Sequence, residues 1–401
     1  MALEPGPAAL SDGAPAVATE ARRFPHLSLR MSTVYAAIYL HYGAFGMFLP
    51  MWFAHRGMSP EQIGVLVALP MMLRILFVAP VTNLADRLRR IREVLLVCVV
   101  VAMMLMMGLN FAVTYWQLLI FFTVFALVWD PLPILADSYA VLAVRSQGLD
   151  FGRMRLWGSL AFVAANIASG KLIELHSIEV VPWLTAALLV IPIVPIFMLP
   201  PDRLLGAPEK AARTEWRGIL GDRTLVGVMI ASALIASSHV LLTTFGAIQW
   251  SGEGISGSMI GALVGVAILG EIAVMFAAQR LLGSRSPLWL IVIGGAVAVV
   301  RWLCAAASPP LPVLFVLMFL NGLTGMGAIT GLMLFIAQRV EGRLISTAQG
   351  INAVLLGVLA AIATAASGFA WRAFETNSYL AMAAIAALGS AIVVRALAKR
   401  A

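Results

Sequence analysis

The chain has 401 residues, of which 61% are hydrophobic and only 11% are charged. Soluble domains carry about 25% charged residues, so the composition excludes an ordinary water-soluble enzyme or binding domain. The net charge of +8 does not indicate a nucleic-acid partner, because the basic residues lie in short segments between apolar runs.

Apolar runs of about 20 residues, the length that crosses about 30 Å of hydrocarbon, recur along the chain. They predict an all-α polytopic membrane protein with twelve transmembrane helices. The first six predicted spans are residues 32–53, 62–81, 93–109, 116–143, 152–173 and 182–199. The second six are residues 225–248, 258–279, 288–307, 311–338, 345–370 and 378–397.

The segments between and around the spans divide the chain into four parts. Residues 1–30 are rich in Pro, Ala and Gly and contain no apolar core, so they are not a secretory signal peptide. We expect a disordered cytoplasmic tail there. Residues 31–199 then form one six-helix bundle, residues 200–223 a polar cytoplasmic loop, and residues 224–401 a second six-helix bundle.

The basic residues indicate the orientation of the chain, because cytoplasmic loops carry an excess of Lys and Arg. With an internal N-terminus, 22 of the 27 basic residues fall on the cytoplasmic side. Only three fall in the opposite loops, namely Arg56, Lys171 and Arg372. Both termini are therefore predicted to be cytoplasmic, in a plasma membrane that we take to be a bacterial inner membrane.

The two predicted bundles repeat each other loosely. The basic loops at Arg87–Arg92 and Arg280–Arg285 are about 195 residues apart, and Arg145 and Arg339 have nearly the same separation. A parallel repeat of two six-helix halves is the major facilitator layout, in which the substrate site lies between the halves near the midplane. Two halves that enclose one site also favour a functional monomer.

The segment that follows the second span, residues 82–92, reads TNLADRLRRIR. It resembles the major facilitator signature G-x-L-A-D-R-x-G-R-R, with matches at Asp86, Arg87 and Arg90. Thr82 and Arg89 stand where that pattern has glycine. The resemblance implies a charged gating turn that locks or releases the two halves.

Several longer stretches resemble one branch of this superfamily, the phenylpropionate-permease-like (MFS_1-like) proteins, which are related to lactose and nucleoside proton symporters. These stretches are Tyr42-Gly43, Pro50 with Trp52, residues 56–64 (RGMSPEQIG), Asp137, residues 150–159 (DFGRMRLWGS) and residues 347–350 (TAQG). The resemblance implies proton-coupled uptake of a small organic solute, either an aromatic acid such as phenylpropionate or a sugar or nucleoside.

Ionisable residues at membrane depth are costly and are candidates for function. There are five of them: Arg74, Asp130, Asp137, Glu271 and Arg301. Arg74 and Asp137 fall at similar depths, which predicts an ion pair that is either structural or broken by protonation during transport. Asp130 has no partner at its own depth, so it is either a proton carrier or a polar group that faces a wet cavity or caps the bend at Pro131.

Glu271 and Arg301 lie in the eighth and ninth spans. The sugar-symporter relatives pair an acid on the eighth helix with an arginine on the ninth, but here the two depths differ by roughly 9 Å. Arg301 therefore either reaches toward Glu271, snorkels outward or binds an anionic substrate. The acids Asp130, Asp137 and Glu271 are the predicted proton carriers, and Arg74 and Arg301 are their predicted charge partners.

Polar and aromatic residues in the spans are candidates for substrate binding, since such side chains stack against rings and form hydrogen bonds. In the first half they are Tyr39, His41 and Tyr42, and in the second half they are His239, Asn321 and Gln349. The alternative for each is a packing or structural role, above all for the two histidines.

The chain contains no phosphate-binding G-x-x-x-x-G-K-[ST] loop and no H-E-x-x-H zinc motif. We therefore expect no cofactor, no metal and no enzymatic activity. The preferred hypothesis is proton-coupled uptake. The fifth span lacks the Gly-Pro pair typical of drug antiporters, which makes an efflux antiporter the second hypothesis. A non-transporting membrane sensor is the alternative from another class.

Overall fold

The computed structural model of the protein describes residues 24–205, 216–283, 285–341 and 344–398. Within these ranges the chain is helical and contains no strand. Most of the predicted tail, residues 1–23, and the middle of the predicted central loop, residues 206–215, lie outside the described residues.

Six helical segments form the first half. They are α1 (Leu27–His55), α2 (Pro60–Leu88), α3 (Ile91–Leu109), α4 (Tyr115–Gln147), α5 (Phe151–Leu175) and α6 (Val180–Leu204). Because α1 begins at Leu27, residues 27–30, which the sequence assigns to the tail, are helical. The helix covers the first predicted span entirely.

Six further segments form the second half. They are α7 (Arg223–Gly252), α8 (Gly257–Leu282), α9 (Leu288–Ala306), α10 (Leu311–Arg339), α11 (Ile345–Phe374) and α12 (Tyr379–Ala398). A short helix, Trp216–Gly221, precedes α7 inside the predicted central loop. The twelve segments coincide with the twelve predicted spans.

Five of the twelve segments are interrupted: α6 is broken between Leu188 and Ile193, and four other segments are interrupted at equivalent places in the two halves. In the first half, α1 is interrupted at Gly46 and α4 at Asp130; in the second half, α7 is interrupted at His239 and α10 at Asn321. In α4 the cause is Pro131, which has no N–H group to donate to the preceding turn. Irregular backbone at membrane depth is tolerated where it is buried in protein or lines a cavity, so these positions point toward the functional site.

The two halves are packed together at one end of the molecule. We call the end that carries the start of α1 and the end of α12 the terminal face, and the other end the opposite face. Near the opposite face α2 packs along α11, and α5 packs along α8. The α5–α8 crossing is so close that a Cβ atom on Gly170 would overlap the Gly257 carbonyl, which is the small-residue packing typical of membrane helices.

Polar contacts reinforce this packing at the opposite face. Arg372 of α11 donates to Glu61 of α2 at 2.9 Å. Glu174 of α5 accepts from the Ser258 N–H at 2.7 Å, and this N–H belongs to the first turn of α8. The carboxylate thereby compensates the positive end of that helix, so the two halves are held together by charge as well as by shape.

At the terminal face, Asp222 joins α7 to α10 within the second half. Its carboxylate caps α7 by accepting from the Thr224 and Leu225 N–H groups at 3.1 Å each. Arg339 donates to the same carboxylate through Nη2 at 3.0 Å. The hydrogen bond from Arg339 holds the pKa of Asp222 below its usual range.

Two substitutions of Asp222 separate the cap from the ion pair. Asp222→Asn keeps a capping side chain and loses the ion pair, so we expect a loss of stability of at most about 1 kcal/mol. Asp222→Ala also loses the cap, which adds about 0.5–2 kcal/mol. The midpoints of thermal unfolding in detergent measure both effects.

The pH dependence of the Asp222→Asn effect follows from the direction of the pKa shift. The folded-state pKa lies below the unfolded value of about 3.9, so the stabilisation is complete above that pH. It is lost as the pH falls through the depressed pKa. A difference in unfolding midpoint between wild type and Asp222→Asn that grows as the pH falls below about 4 would contradict this assignment.

Candidate functional site

A cavity of about 270 Å³ lies between the two halves, where the packing of the opposite face ends. This volume is near the lower end of the range for small-molecule sites. Residues of α1, α5, α7, α8 and α10 line it, and they include the interruptions of α1 and α10. Four polar residues stand in an otherwise mainly apolar wall: Asn166, Thr243, Glu271 and Asn321. We call this space the central cavity.

Two of the predicted site residues meet on the second-half wall of the central cavity. Glu271 Oε1 accepts a hydrogen bond from Asn321 Nδ2 at 3.1 Å. The contact depends on a close approach of α8 and α10, at which a Cβ atom on Gly322 would overlap the Gly270 carbonyl. Gly322 also opens a π-helical turn, Gly322–Met326, a feature found frequently at functional sites.

The first-half wall carries a polar residue that sequence reasoning missed. Asn166 of α5 is fully buried, and its Nδ2 group donates to the Phe162 carbonyl at 3.0 Å. Its Oδ1 atom has no hydrogen-bond partner. Buried side-chain oxygens almost always have one, so this oxygen is an unsatisfied acceptor in a residue that borders the cavity.

Arg301 lies behind the second-half wall and not on it. Its side chain is 2% exposed, and Nη1 donates to Thr324 Oγ1 at 2.7 Å. His239 Nε2 lies 2.7 Å from the same hydroxyl and 3.2 Å from Arg301 Nη1. Arg301 therefore neither snorkels outward nor pairs with Glu271. His239, a predicted substrate ligand, instead belongs to this internal network.

The predicted ion pair between Arg74 and Asp137 is wrong. Arg74 Nη1 lies 3.9 Å from Asp130 Oδ2, so Asp130, for which the sequence offered no partner, has one. The depth comparison failed because it left out Arg155, which was counted with the cytoplasmic basic residues although it lies within the predicted fifth span, residues 152–173. In the structure α5 begins at Phe151, which places Arg155 inside the helix, with Nε 4.0 Å from Asp137 Oδ1.

Asp137 is the centre of a second cluster in the first half, formed with Tyr35, Tyr39 and Arg155. The Tyr35 hydroxyl donates to Asp137 Oδ1 at 2.7 Å. Arg155 Nη2 donates to the Tyr39 hydroxyl, and its guanidinium carbon lies 3.9 Å from the centre of the Tyr39 ring. The helical spacing of Tyr35 and Tyr39 was the available signal, but Arg155 went unrecognised as their partner.

Three further predicted ligands do not line the central cavity. His41 is fully buried within the first half, where Nδ1 lies 3.1 Å from the Thr185 carbonyl oxygen. Tyr42 packs on Trp129, with ring centres 5.3 Å apart. Gln349 is an exposed residue near the start of α11, at the terminal face.

The predicted gating motif occupies the end of α2 and the turn that follows. Arg87 lies in the last turn of α2, and Arg90 precedes α3; the side chain of Asp86 lies outside the described part of the chain. Arg89 has a φ of 50°, in the left-handed region that favours glycine. This explains why the family pattern has glycine at that position.

Among the described residues, no group of three His, Cys, Asp or Glu side chains is arranged to hold a metal ion. Cys98 and Cys304 are free thiols in α3 and α9. The polar chemistry of the site therefore rests on carboxylates, arginines, amides and tyrosines.

Residues 28–381 match the protein family described as the MFS_1 like family. The chain is 27% identical to the "Probable 3-phenylpropionic acid transporter" of Escherichia coli (strain K12), over 88% of this chain and 93% of the relative. It is 25% identical to the "Maltose permease" of Geobacillus stearothermophilus, over 91% of this chain and 93% of that one.

Solved structures of two transporters have the same fold. The nucleoside transporter NupG superposes with a TM-score of 0.82 at 14% identity, covering 92% of this chain and 99% of NupG. A bacterial homologue of the human lysosomal transporter Spinster superposes with a TM-score of 0.74 at 15% identity, covering 94% of this chain and 98% of the homologue. The predicted major facilitator fold is thus confirmed. The chain belongs to the MFS_1 like family, and it is a multi-pass membrane transporter of the major facilitator type and not an enzyme.

Proposed function

We propose that this protein is a secondary active transporter that takes up a small organic solute together with protons by alternating access. The main support for this proposal is the position of Asp130. Its side chain is only 19% exposed, and its carboxylate lies 3.9 Å from the guanidinium of Arg74. It stands at the interruption of α4, where a change in charge acts directly on a helix that is already broken. The relatives and structural neighbours support a small organic solute.

The orientation of the protein in this proposal comes from its basic residues. The terminal face carries most of them, so we assign it to the cytoplasm of a bacterial inner membrane. The halves then pack together on the outer side, and the central cavity is proposed to be reached from the cytoplasm. One cavity enclosed by two halves supports a functional monomer.

Alternating access requires the contacts at the opposite face to break while the halves close at the terminal face. The Glu61–Arg372 pair and the Glu174 cap on α8 are made between the halves, so they are the contacts that outward opening separates. The interrupted helices α1, α4, α7 and α10 supply the places where the bundle bends.

Three carboxylates are the proposed proton carriers, and each has a partner that responds to its charge. Asp130 faces Arg74, Asp137 accepts from Tyr35, and Glu271 accepts from Asn321. A bare carboxylate separated from its partner is costly at membrane depth. A helix movement that separates the pair therefore favours the protonated acid, which releases its proton when the pair forms again on the cytoplasmic side.

Replacing Asp130 with Asn tests the coupling in vesicles that contain a pH-sensitive dye. Aromatic acids, sugars and nucleosides are added outside in turn, and we expect internal acidification with the transported solute. Asp130→Asn mimics the protonated acid, so we expect it to abolish acidification and to retain exchange of labelled solute. The variants Asp137→Asn and Glu271→Gln are measured in the same way, and a loss of acidification identifies which of these two carboxylates also takes part in proton coupling.

Asp150→Asn serves as the matched control, because Asp150 is a helix-capping carboxylate whose partner is the Arg153 N–H at 3.1 Å. It should acidify the vesicles as the wild type does. Normal acidification in all three carrier variants would overturn the coupling role. Alkalinisation under an inside-acid gradient would indicate an efflux antiporter, and solute entry without any pH change would indicate a uniporter.

Replacing Gly170 with Val tests alternating access, because a side chain there collides with the Gly257 backbone. We expect the opposite face to open. A cysteine at Thr243, on the cavity wall, in a background without Cys98 and Cys304, should then react faster with an impermeant maleimide added outside cells. Gly252→Val is the control, since a Cβ atom there meets nothing within 4 Å. Equal labelling of both variants would contradict the proposed movement.

A further inference from the structure

Three aromatic side chains form a continuous row inside the second half. Trp371, near the end of α11, meets Tyr379, the first residue of α12, edge to face, with ring centres 6.5 Å apart. Tyr379 in turn stacks on Trp302 of α9, with ring centres 5.8 Å apart and ring planes 8° from parallel. Tyr379 and Trp302 are each 1% exposed, so this part of the row is enclosed by protein. We call these three residues the aromatic row.

One end of the aromatic row holds the interruption of α7. Ser238 and His239 separate the two helical parts of α7, Arg223–Ser237 and Val240–Gly252. Trp302 Nε1 donates to Ser238 Oγ at 2.9 Å, which gives this buried indole N–H the partner it needs. The Trp302 ring also meets the His239 ring edge to face, with centres 5.1 Å apart. Trp302 therefore contacts both residues at which α7 departs from a regular helix.

The other end of the aromatic row lies beside a contact between the two halves. Trp371 immediately precedes Arg372, which donates to Glu61 of α2 at 2.9 Å. The same Trp371 ring stacks on Phe245, with centres 5.2 Å apart and planes 10° from parallel. Phe245 belongs to the second helical part of α7, which also carries Thr243 on the wall of the central cavity. Trp371 thus connects the inter-half contact to the helix that lines the cavity.

Rings packed in this way keep their spacing when one of them moves, because protein interiors are as dense as organic crystals. A displacement of Arg372 away from Glu61 shifts Trp371, and the shift reaches Ser238 through Tyr379 and Trp302. Coupling between two sites requires an element with two arrangements. The interruption of α7 supplies that element, because a bend can change there without breaking a regular helical turn.

We propose that Tyr379 and Trp302 are positioning residues for transport, which couple the Glu61–Arg372 contact to the bend of α7. When this contact breaks, the second helical part of α7 moves with the end of α11, and the central cavity opens toward the opposite face. The inference rests on the proposed alternating access. It adds the residues that pass the movement from the edge of the molecule to the cavity wall.

A cysteine at Thr243, in a background without Cys98 and Cys304, measures this coupling in cells. The rate of labelling by an impermeant maleimide added outside is compared with and without Arg372→Gln. An exposed ion pair contributes little energy, so we expect Arg372→Gln to raise the rate by up to about fivefold. The ratio of the two rates is the effect of breaking the contact. A general loosening of the protein cancels in this ratio.

Two substitutions of Tyr379 test the middle of the aromatic row. Tyr379→Leu removes the ring, so we expect the ratio to fall close to one. Tyr379→Phe keeps the ring and loses only a hydroxyl that has no hydrogen-bond partner, so the ratio should equal that of the wild type. Should Tyr379→Leu not reach the membrane, Trp302→Phe provides the test, because it keeps a ring but loses the hydrogen bond to Ser238. It should lower the ratio as well.

Tyr139→Leu is the matched control for the loss of a buried ring. Tyr139 is a fully buried tyrosine of α4 whose hydroxyl donates to the Pro200 carbonyl at 2.6 Å, near the terminal face and far from the aromatic row. Its removal should leave the ratio at the wild-type value. A ratio lowered equally by Tyr139→Leu and Tyr379→Leu would overturn the proposal, since any missing ring would then have the same effect.

The proposal is also overturned if Arg372→Gln raises labelling equally in Tyr379→Leu and Tyr379→Phe, or if it does not change labelling in the wild type. The comparison of Gly170→Val with Gly252→Val separates these results from alternating access itself. If Gly170→Val opens the opposite face while the aromatic variants leave the ratio unchanged, the transport movement stands and the coupling through the rings fails.

Discussion

The structure depends on one constraint, that hydrocarbon satisfies neither backbone polar groups nor charges. Each charged side chain at membrane depth must therefore find its partner inside the protein. Arg74 does so with Asp130, Arg155 with Asp137, and Arg301 with Thr324 and His239. The same constraint favours helix interruptions where the backbone faces the interior, and the interruptions of α1 and α10 accordingly line the central cavity.

The sequence was sufficient to predict the architecture, because span length and the distribution of basic residues are properties that the bilayer imposes on each helix separately. All twelve spans were placed, and the signature at Asp86, Arg87 and Arg90 marked the junction of α2 and α3. Glu271 and Asn321 were identified as site candidates, and they do meet on the cavity wall. Their functional roles remain predictions.

The pairing of charges could not be predicted, because it depends on helix rotation and helix ends more than on depth. Arg74 was assigned to Asp137 from depth alone, whereas Arg155, which was counted with the cytoplasmic basic residues, lies beside that carboxylate. The sequence did not identify Asn166, because it does not show whether the oxygen of a single amide in an apolar helix has a hydrogen-bond partner. His41 and Gln349 were predicted to bind substrate but do not line the central cavity. The sequence could not show this, because polarity in a span does not reveal which surface the residue faces.

The π-helical turn of α10 has a consequence for comparisons with relatives. Such a turn is the local equivalent of inserting one residue, so the helix beyond Met326 is rotated by about 100° relative to an uninterrupted one. Before and within this turn, Asn321 contacts Glu271 of α8 and Thr324 contacts Arg301 of α9. An alignment to a relative with a regular tenth helix needs a one-residue gap at this turn, and without the gap each later residue is matched to a position about 100° away around the helix.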